Sequence, residues 1–464
     1  MDFFGRNKEL AYLKEAYLSN KTEFIPIYGR RRVGKSELIR QFCSDKPHVY
    51  LMGKQALAEL QITEFMNEGA RCFKQPLLRE TQTRDWKKAL QLLIDHKKEG
   101  KKLIIVFDEF QWLVAASPEL PSILQELLDT EWKKRRDIFL ILCGSYLGFM
   151  EKEVLGEKSP LFGRRSGQIF LKPFPYYEAA LFHPRWSVVD KAKAYFICGG
   201  VPYYLLFFKD HSSIEKNIIN HILSEFAPLF REPDFLLREE LRELQKYYSI
   251  LMSLALGSQT LPQLAQQSGV GDKKLSYYLQ TLLEIGYVRR KFPLSHKKTT
   301  KNEVRFILED PLLRFWFFFV YPQQSYLAQV SPEQAYLAVL KPRLESYFGV
   351  CFENLCREAL TCLSAKSSLG SFQVGEYWDK NVQIDVVGLY EKEKIILGEC
   401  KWGKVKSSTA LKAELEAKIA CFPNPKGLTI RKALFTQKEI TKKEGDVEYY
   451  SLEKIYNLMP SKFC

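Results

Sequence analysis

The chain is 464 residues long, 46% hydrophobic and 27% charged, with a formal net charge of +14. These fractions are ordinary for a soluble folded protein, and the length suits two to four domains. They argue against a membrane protein, because the strongest apolar run, Leu312–Pro322, is too short to span a bilayer and is interrupted by Arg314. The basic excess suits an anionic partner, nucleic acid foremost, or simply a basic surface. The ten cysteines are scattered, form no C-x-x-C pair and have no histidines at zinc spacing, which points to a reducing cytoplasm. The amino end mixes acidic and basic residues without an apolar core, unlike a signal peptide.

In chain order, the first strand is the apolar run Phe24–Tyr28. It leads into Gly29-Arg30-Arg31-Arg32-Val33-Gly34-Lys35-Ser36 and then a helix from Glu37. This is the G-x-x-x-x-G-K-S loop in its strand–loop–helix setting. Its amides and the helix dipole suit phosphate oxygens, Lys35 suits the terminal phosphates, and the Ser36 hydroxyl suits Mg²⁺. A second buried strand, Leu103–Phe107, ends in Asp108-Glu109. Beside the loop, Asp108 is expected to manage Mg²⁺ and Glu109 the attacking water; otherwise the pair is a solvent-facing strand end.

A third strand, Ile138–Leu142, precedes Cys143-Gly144-Ser145. Ser145 is a candidate sensor of the terminal phosphate, or a turn serine. Arg164 and Arg165, in a turn, are candidates for neutralising charge on a phosphoryl group in transfer, or a surface ion pair.

The opening Phe4-Gly5-Arg6-Asn7-Lys8-Glu9-Leu10 joins these segments and Gly199-Gly200-Val201-Pro202-Tyr203-Tyr204-Leu205 in a wider pattern. Together they resemble the archaeal-type AAA-like ATPases of the STAND class. The resemblance runs over roughly the whole chain, since such proteins often end in a domain similar to restriction-type nucleases. It implies ATP as the nucleotide, and hydrolysis of it.

Alternating strands and helices over 1–185 predict a P-loop ATPase core with a parallel sheet, and 186–240 a helical lid. From 241 to 322 the pattern becomes helix, helix, turn, helix and two strands, which reads as a winged helix-turn-helix. Thr260 and Asp272 are expected caps. Lys273, Lys274, Tyr277 and Gln280 are expected to face outward, and Lys297, Lys298 and Lys301 to mark the wing tip. These residues suit DNA, although such a module also docks on protein. Gln323 to about Leu340 reads as a linker.

The last region, 340–464, opens on a helix through Phe348–Leu360 and continues with a hairpin of Val382–Leu389 and Ile395–Trp402. Asp385 lies on the first strand; Glu399 and Lys401 share a face of the second. The arrangement is similar to the PD-(D/E)XK nuclease core, although Ile384 stands where the fuller pattern has proline. The two carboxylates would hold Mg²⁺, Lys401 would activate water, and Glu353 would add an acidic contact. An inactive relative and an ordinary salt-bridged strand pair stay open.

The expected fold is thus α/β: a P-loop parallel sheet, a helical lid, a winged helix-turn-helix and a restriction-endonuclease-like tail. The expected function is a cytoplasmic ATP- and Mg²⁺-dependent switch acting on DNA, able to form a homo-oligomer and with no membrane partner. The alternative is a signalling scaffold whose tail binds protein without cutting DNA.

Overall fold

The computed structural model describes residues 3–81, 83–97, 100–295, 300, 303–364, 372–390, 394–441, 443 and 445–457. The chain divides into two compact units, 1–173 and 174–464.

The first unit is built on five strands: β1 (Glu23–Tyr28), β2 (His48–Met52), β3 (Leu103–Asp108), β4 (Ile138–Gly144) and β5 (Ile169–Phe170). They pair in parallel in the order β2-β3-β4-β1-β5. Strands covered on both sides need apolar residues at every position, and β1, β3 and β4 are buried throughout. Alternation sends successive residues to opposite layers. Leu103, Ile105 and Phe107 join one core, Ile104 and Val106 the other. Pro26 is tolerated inside β1 because β5 is short and pairs only with Ile27 and Tyr28. The order places the loop after β1 beside the carboxyl ends of β4 and, one strand further, β3.

The second unit begins with helices, among them Val188–Cys198. Three more helices, Leu244–Ala255, Leu261–Ser268 and Asp272–Glu284, precede an antiparallel pair, β6 (Val288–Lys291) and β7 (Arg305–Leu308). Thr260 and Gln263 form a capping box on the middle helix. Asp272 is already helical, and Gly271 takes the cap position expected of it. Leu275, Tyr278, Leu279 and Leu282 are buried, whereas Lys273, Lys274, Tyr277 and Gln280 are exposed. Lys297, Lys298 and Lys301 lie outside the described residues.

The expected linker Gln323–Leu340 is instead helical, in the pieces Gln324–Leu327, Pro332–Ala335 and Tyr336–Leu340. Pro332 opens one of these helices behind a Ser331 capping box, a position that does not use the missing N–H. Leu327, Ala335, Tyr336 and Leu340 are buried, so the segment is part of the core.

The long helix Lys341–Ser364 then covers one face of a second sheet. That sheet contains β8 (Phe372–Trp378), β9 (Gln383–Tyr390), β10 (Lys394–Lys401), β11 (Thr429–Thr436) and β12 (Val447–Ser451). The order is β12-β11-β10-β9-β8, with β10, β11 and β12 mutually parallel and β9 antiparallel to both neighbours. The helix Ser408–Cys421 puts Leu411 and Leu415 against Leu434 and Tyr449. Among the described residues no helix is long and apolar enough to cross a membrane.

Glu358, on the long helix, accepts from the Tyr176 amide at 3.1 Å and the Tyr195 hydroxyl at 2.9 Å. Burial pushes its carboxyl up to about 7. An acid raised on folding stabilises fully below its unfolded value, and that contribution is lost as pH rises through 7. Glu358→Gln should therefore be near neutral at pH 5 and stabilising at pH 8, by about 2 kcal/mol after solvent screening, as read from urea unfolding at the two pH values.

Candidate functional site

The loop after β1 is shaped by two glycines with different reasons to be glycine. Gly34 turns the chain into the helix Lys35–Cys43 at φ 89°, which a β-carbon resists. At Gly29 a β-carbon would lie 2.3 Å from the Leu171 carbonyl oxygen. Arg32 also has positive φ, at 68°. Lys35 is buried, and its ammonium donates to the carbonyls of Gly29 at 2.9 Å and Arg30 at 3.0 Å. Burial lowers its pKa. Val33 is fully buried and anchors the loop in the core.

Strand order brings the acidic strand end to this loop. The Ser36 hydroxyl donates to Asp108 Oδ2 at 2.6 Å, and the Tyr50 hydroxyl on β2 donates to the same oxygen. Asp108 Oδ1 accepts the Glu109 amide at 2.9 Å. Glu109 starts the helix Phe110–Ala116 with a left-handed backbone, φ 48°. Its Oε2 accepts from Ser145 Oγ at 2.8 Å and from the Gln111 amide. Gln111 Oε1 is buried and has no hydrogen-bond partner. Lys35, Ser36, Asp108, Glu109 and Ser145 therefore form one cluster.

Arg164 and Arg165 make their hydrogen bonds outside this cluster. Arg164 makes a forked pair with Asp129, its Nη2 at 2.7 Å, and donates to the Pro160 and Phe162 carbonyls. Arg165 reaches the Leu155 carbonyl at 3.5 Å.

In the second unit, the β9–β10 register ends at Gly398 and Val386, beside a bulge in β9, and Glu399 lies close enough to Asp385 to feel its charge. Asp385 Oδ2 accepts the Cys400 amide at 3.0 Å. Glu399 Oε1 accepts from Lys418 on the helix Ser408–Cys421 at 2.6 Å, while its buried Oε2 has no hydrogen-bond partner. Lys401 is exposed, and Lys418 is the lysine that touches Glu399. Burial, then the nearby Asp385 charge, pushes Glu353 and Glu399 well above the usual carboxylate range. Burial raises Asp385 against the Cys400 hydrogen bond. Among the described residues no three His, Cys, Asp or Glu side chains form a metal cage by themselves.

Residues 3–208 match a family described as an ATPase domain predominantly from Archaea. Residues 3–208 thus carry an ATPase domain of this archaeal type. A second match, over 316–413, is to archaeal and bacterial proteins of unknown function. An uncharacterized protein of Methanocaldococcus jannaschii is 28% identical over 411 residues, 87% of this chain and 88% of that protein. An uncharacterized ATP-binding protein of the same organism is 46% identical over 44 residues, 10% of this chain and 75% of that protein. The structure of a Walker-type ATPase of Pyrococcus abyssi superposes with a TM-score of 0.51 at 20% identity, covering 68% of this chain and 96% of that one. It shares the fold.

The protein carries site residues that motif spacing does not reveal. Arg6, 6% exposed, donates from Nη2 to the Lys172 carbonyl at 2.7 Å and the Val33 carbonyl at 3.1 Å, so the opening Gly-Arg pair braces the phosphate loop. Its place in the opening motif was the available signal. Tyr50 and Lys418 had none, because each reaches its carboxylate from a different element.

Arg6→Met should weaken binding of a fluorescent nucleoside triphosphate about tenfold, roughly 1.4 kcal/mol, with the circular dichroism of the sheet retained.

Proposed function

We propose that the ATPase is an ATP- and Mg²⁺-dependent switch whose nucleotide state governs DNA binding or processing by the second unit. The observation that carries it is the Ser36–Asp108 contact, which joins the phosphate loop to the acidic strand end. Hydroxyl and carboxylate oxygens suit Mg²⁺, and these two would hold it. Bound there, the ion would neutralise charge on the phosphates. Lys35 exchanges its loop carbonyls for phosphate oxygens. Glu109 orients water once it leaves Ser145 and Gln111, and Ser145 then addresses the terminal phosphate. Arg164 and Arg165 would serve a phosphoryl group only after Asp129 releases the first of them.

Lys35→Ala should abolish ATP binding. Glu109→Gln should retain it while lowering turnover at least a hundredfold, as read by nucleotide retention and phosphate release. Unchanged affinity in Lys35→Ala would mean that the loop has been misassigned.

The three helices and the β6–β7 hairpin are read as a winged helix-turn-helix. The exposed Lys273, Lys274, Tyr277 and Gln280, with the net charge of +14, support a duplex as partner. Asp385 and Glu399 are read as the acidic pair of a nuclease-like site. Two adjacent carboxylates, one with an orphaned oxygen, suit a divalent cation, which when bound would polarise a phosphodiester. Lys401 is free to approach a substrate, and Lys418 orients Glu399.

Lys273→Ala/Lys274→Ala should weaken duplex affinity and reduce its log–log salt slope by about one to two. Plasmid nicking in Mg²⁺ should disappear in Asp385→Asn. A duplex that fails to bind even at low salt favours the scaffold reading instead. Specific support for that alternative comes from the hairpin, which is engaged with β8 of its own chain.

A further inference from the structure

Lys291 and Glu376 are each 7% exposed and form an ion pair between β6 and β8. The backbone follows the same path, since the Leu294 amide donates to the Glu376 carbonyl at 2.7 Å and Pro293 bridges Glu376 in parallel. The other carboxylate oxygen of Glu376 lies 3.9 Å from Arg357 Nη1. That same nitrogen lies 3.9 Å from Glu353 and donates to the Asp385 main-chain carbonyl at 2.5 Å. Arg357 Nη2 donates to Asn354 Oδ1 at 2.6 Å. Groups of alternating sign thus run from Lys291 through Glu376 to Arg357, which lies against the Glu353 carboxyl and the Asp385 carbonyl.

We infer that Lys291, on the hairpin, is a positioning residue for the Asp385–Glu399 site. The inference rests on the reading of that pair as a divalent-cation site. Arg357 stands at equal distance from two acids because Lys291 already satisfies Glu376. A buried carboxylate stripped of its close cation is costly and draws in the nearest one. Without Lys291, Arg357 moves onto Glu376 and releases the Asp385 backbone and Glu353. The hairpin is therefore part of the frame of the acidic site, and displacement of β6 is felt at Asp385.

The sign of the effect separates this from simple electrostatics. Removing a distant cation strengthens the binding of a metal ion to carboxylates, whereas losing the anchor weakens it. The test is Mn²⁺ binding to the full chain, by calorimetry and electron paramagnetic resonance, with no nucleotide or DNA. Wild-type binding should vanish in Asp385→Asn. Lys291→Met should weaken it about tenfold, the low end for an outer-shell partner. Lys291→Met/Glu376→Leu strands no charge and leaves Arg357 on Asp385 and Glu353, so it should recover affinity to within a few-fold of wild type. If the single variant does not fold, the double variant decides alone. Unchanged or stronger binding in a folded Lys291→Met overturns the inference, as does a double variant no better than tenfold weakened. Wild-type binding that survives Asp385→Asn, or none at all, overturns the cation reading itself, and this inference with it.

Discussion

A fully buried carboxylate, Asp108, fixes the geometry of the nucleotide site. Such a group is costly unless every acceptor finds a donor. Its donors come from three places: Ser36 at the start of the loop helix, Tyr50 on the neighbouring strand and the Glu109 amide at its own strand end. Satisfying one charge therefore locks the loop, β2 and β3 together. Burial beside Asp108 also raises the Tyr50 phenol, which stays a donor. The Gly53 amide donates to the Asp108 carbonyl at 2.8 Å, so the main chain is held as firmly as the side chain.

The acidic group of the second unit follows the opposite logic. Both Asp108 oxygens meet protein donors, one of them the Ser36 hydroxyl that would share Mg²⁺ with it, whereas Glu399 keeps one buried oxygen unmatched, and Glu353, Asp385 and Glu399 resist ionising together. The divalent-cation site proposed for this cluster rests on that unmatched oxygen. Its surrounding cations, Arg357 and Lys418, touch the edges of the group.

Local chemistry made much of this legible. A glycine-framed lysine after an apolar strand, and two acids after another, announced a parallel sheet with a phosphate loop, because burial on both faces demands unbroken apolar runs. The β9–β10 hairpin was readable for similar reasons, since a short polar segment separates two alternating strands. What escaped depended on tertiary convergence. Lys418 lies 19 residues beyond Glu399 and meets it only when its helix folds back over the sheet. Pro332 falls in the segment expected to be a linker, although at the first turn of a helix proline is compatible with continuation. Period two was the ground for expecting Lys401 beside Glu399, but alternation says nothing about how far a flexible side chain leans, and the lysine that touches Glu399 is Lys418.

The seating of Pro293–Leu294 on β8 has a bearing on how the tail can exist at all. β8 is the last strand of its sheet, and an uncovered rim of unpaired amides and carbonyls invites other chains to add to it. The hairpin occupies that rim with backbone bonds and seals it with a buried ion pair and with Arg305 over the Trp378 ring, 4.7 Å from its centroid. A tail severed from the preceding hairpin would be left with a sticky border, prone to aggregation. The natural indivisible piece of this protein is thus larger than the sheet that carries its acids.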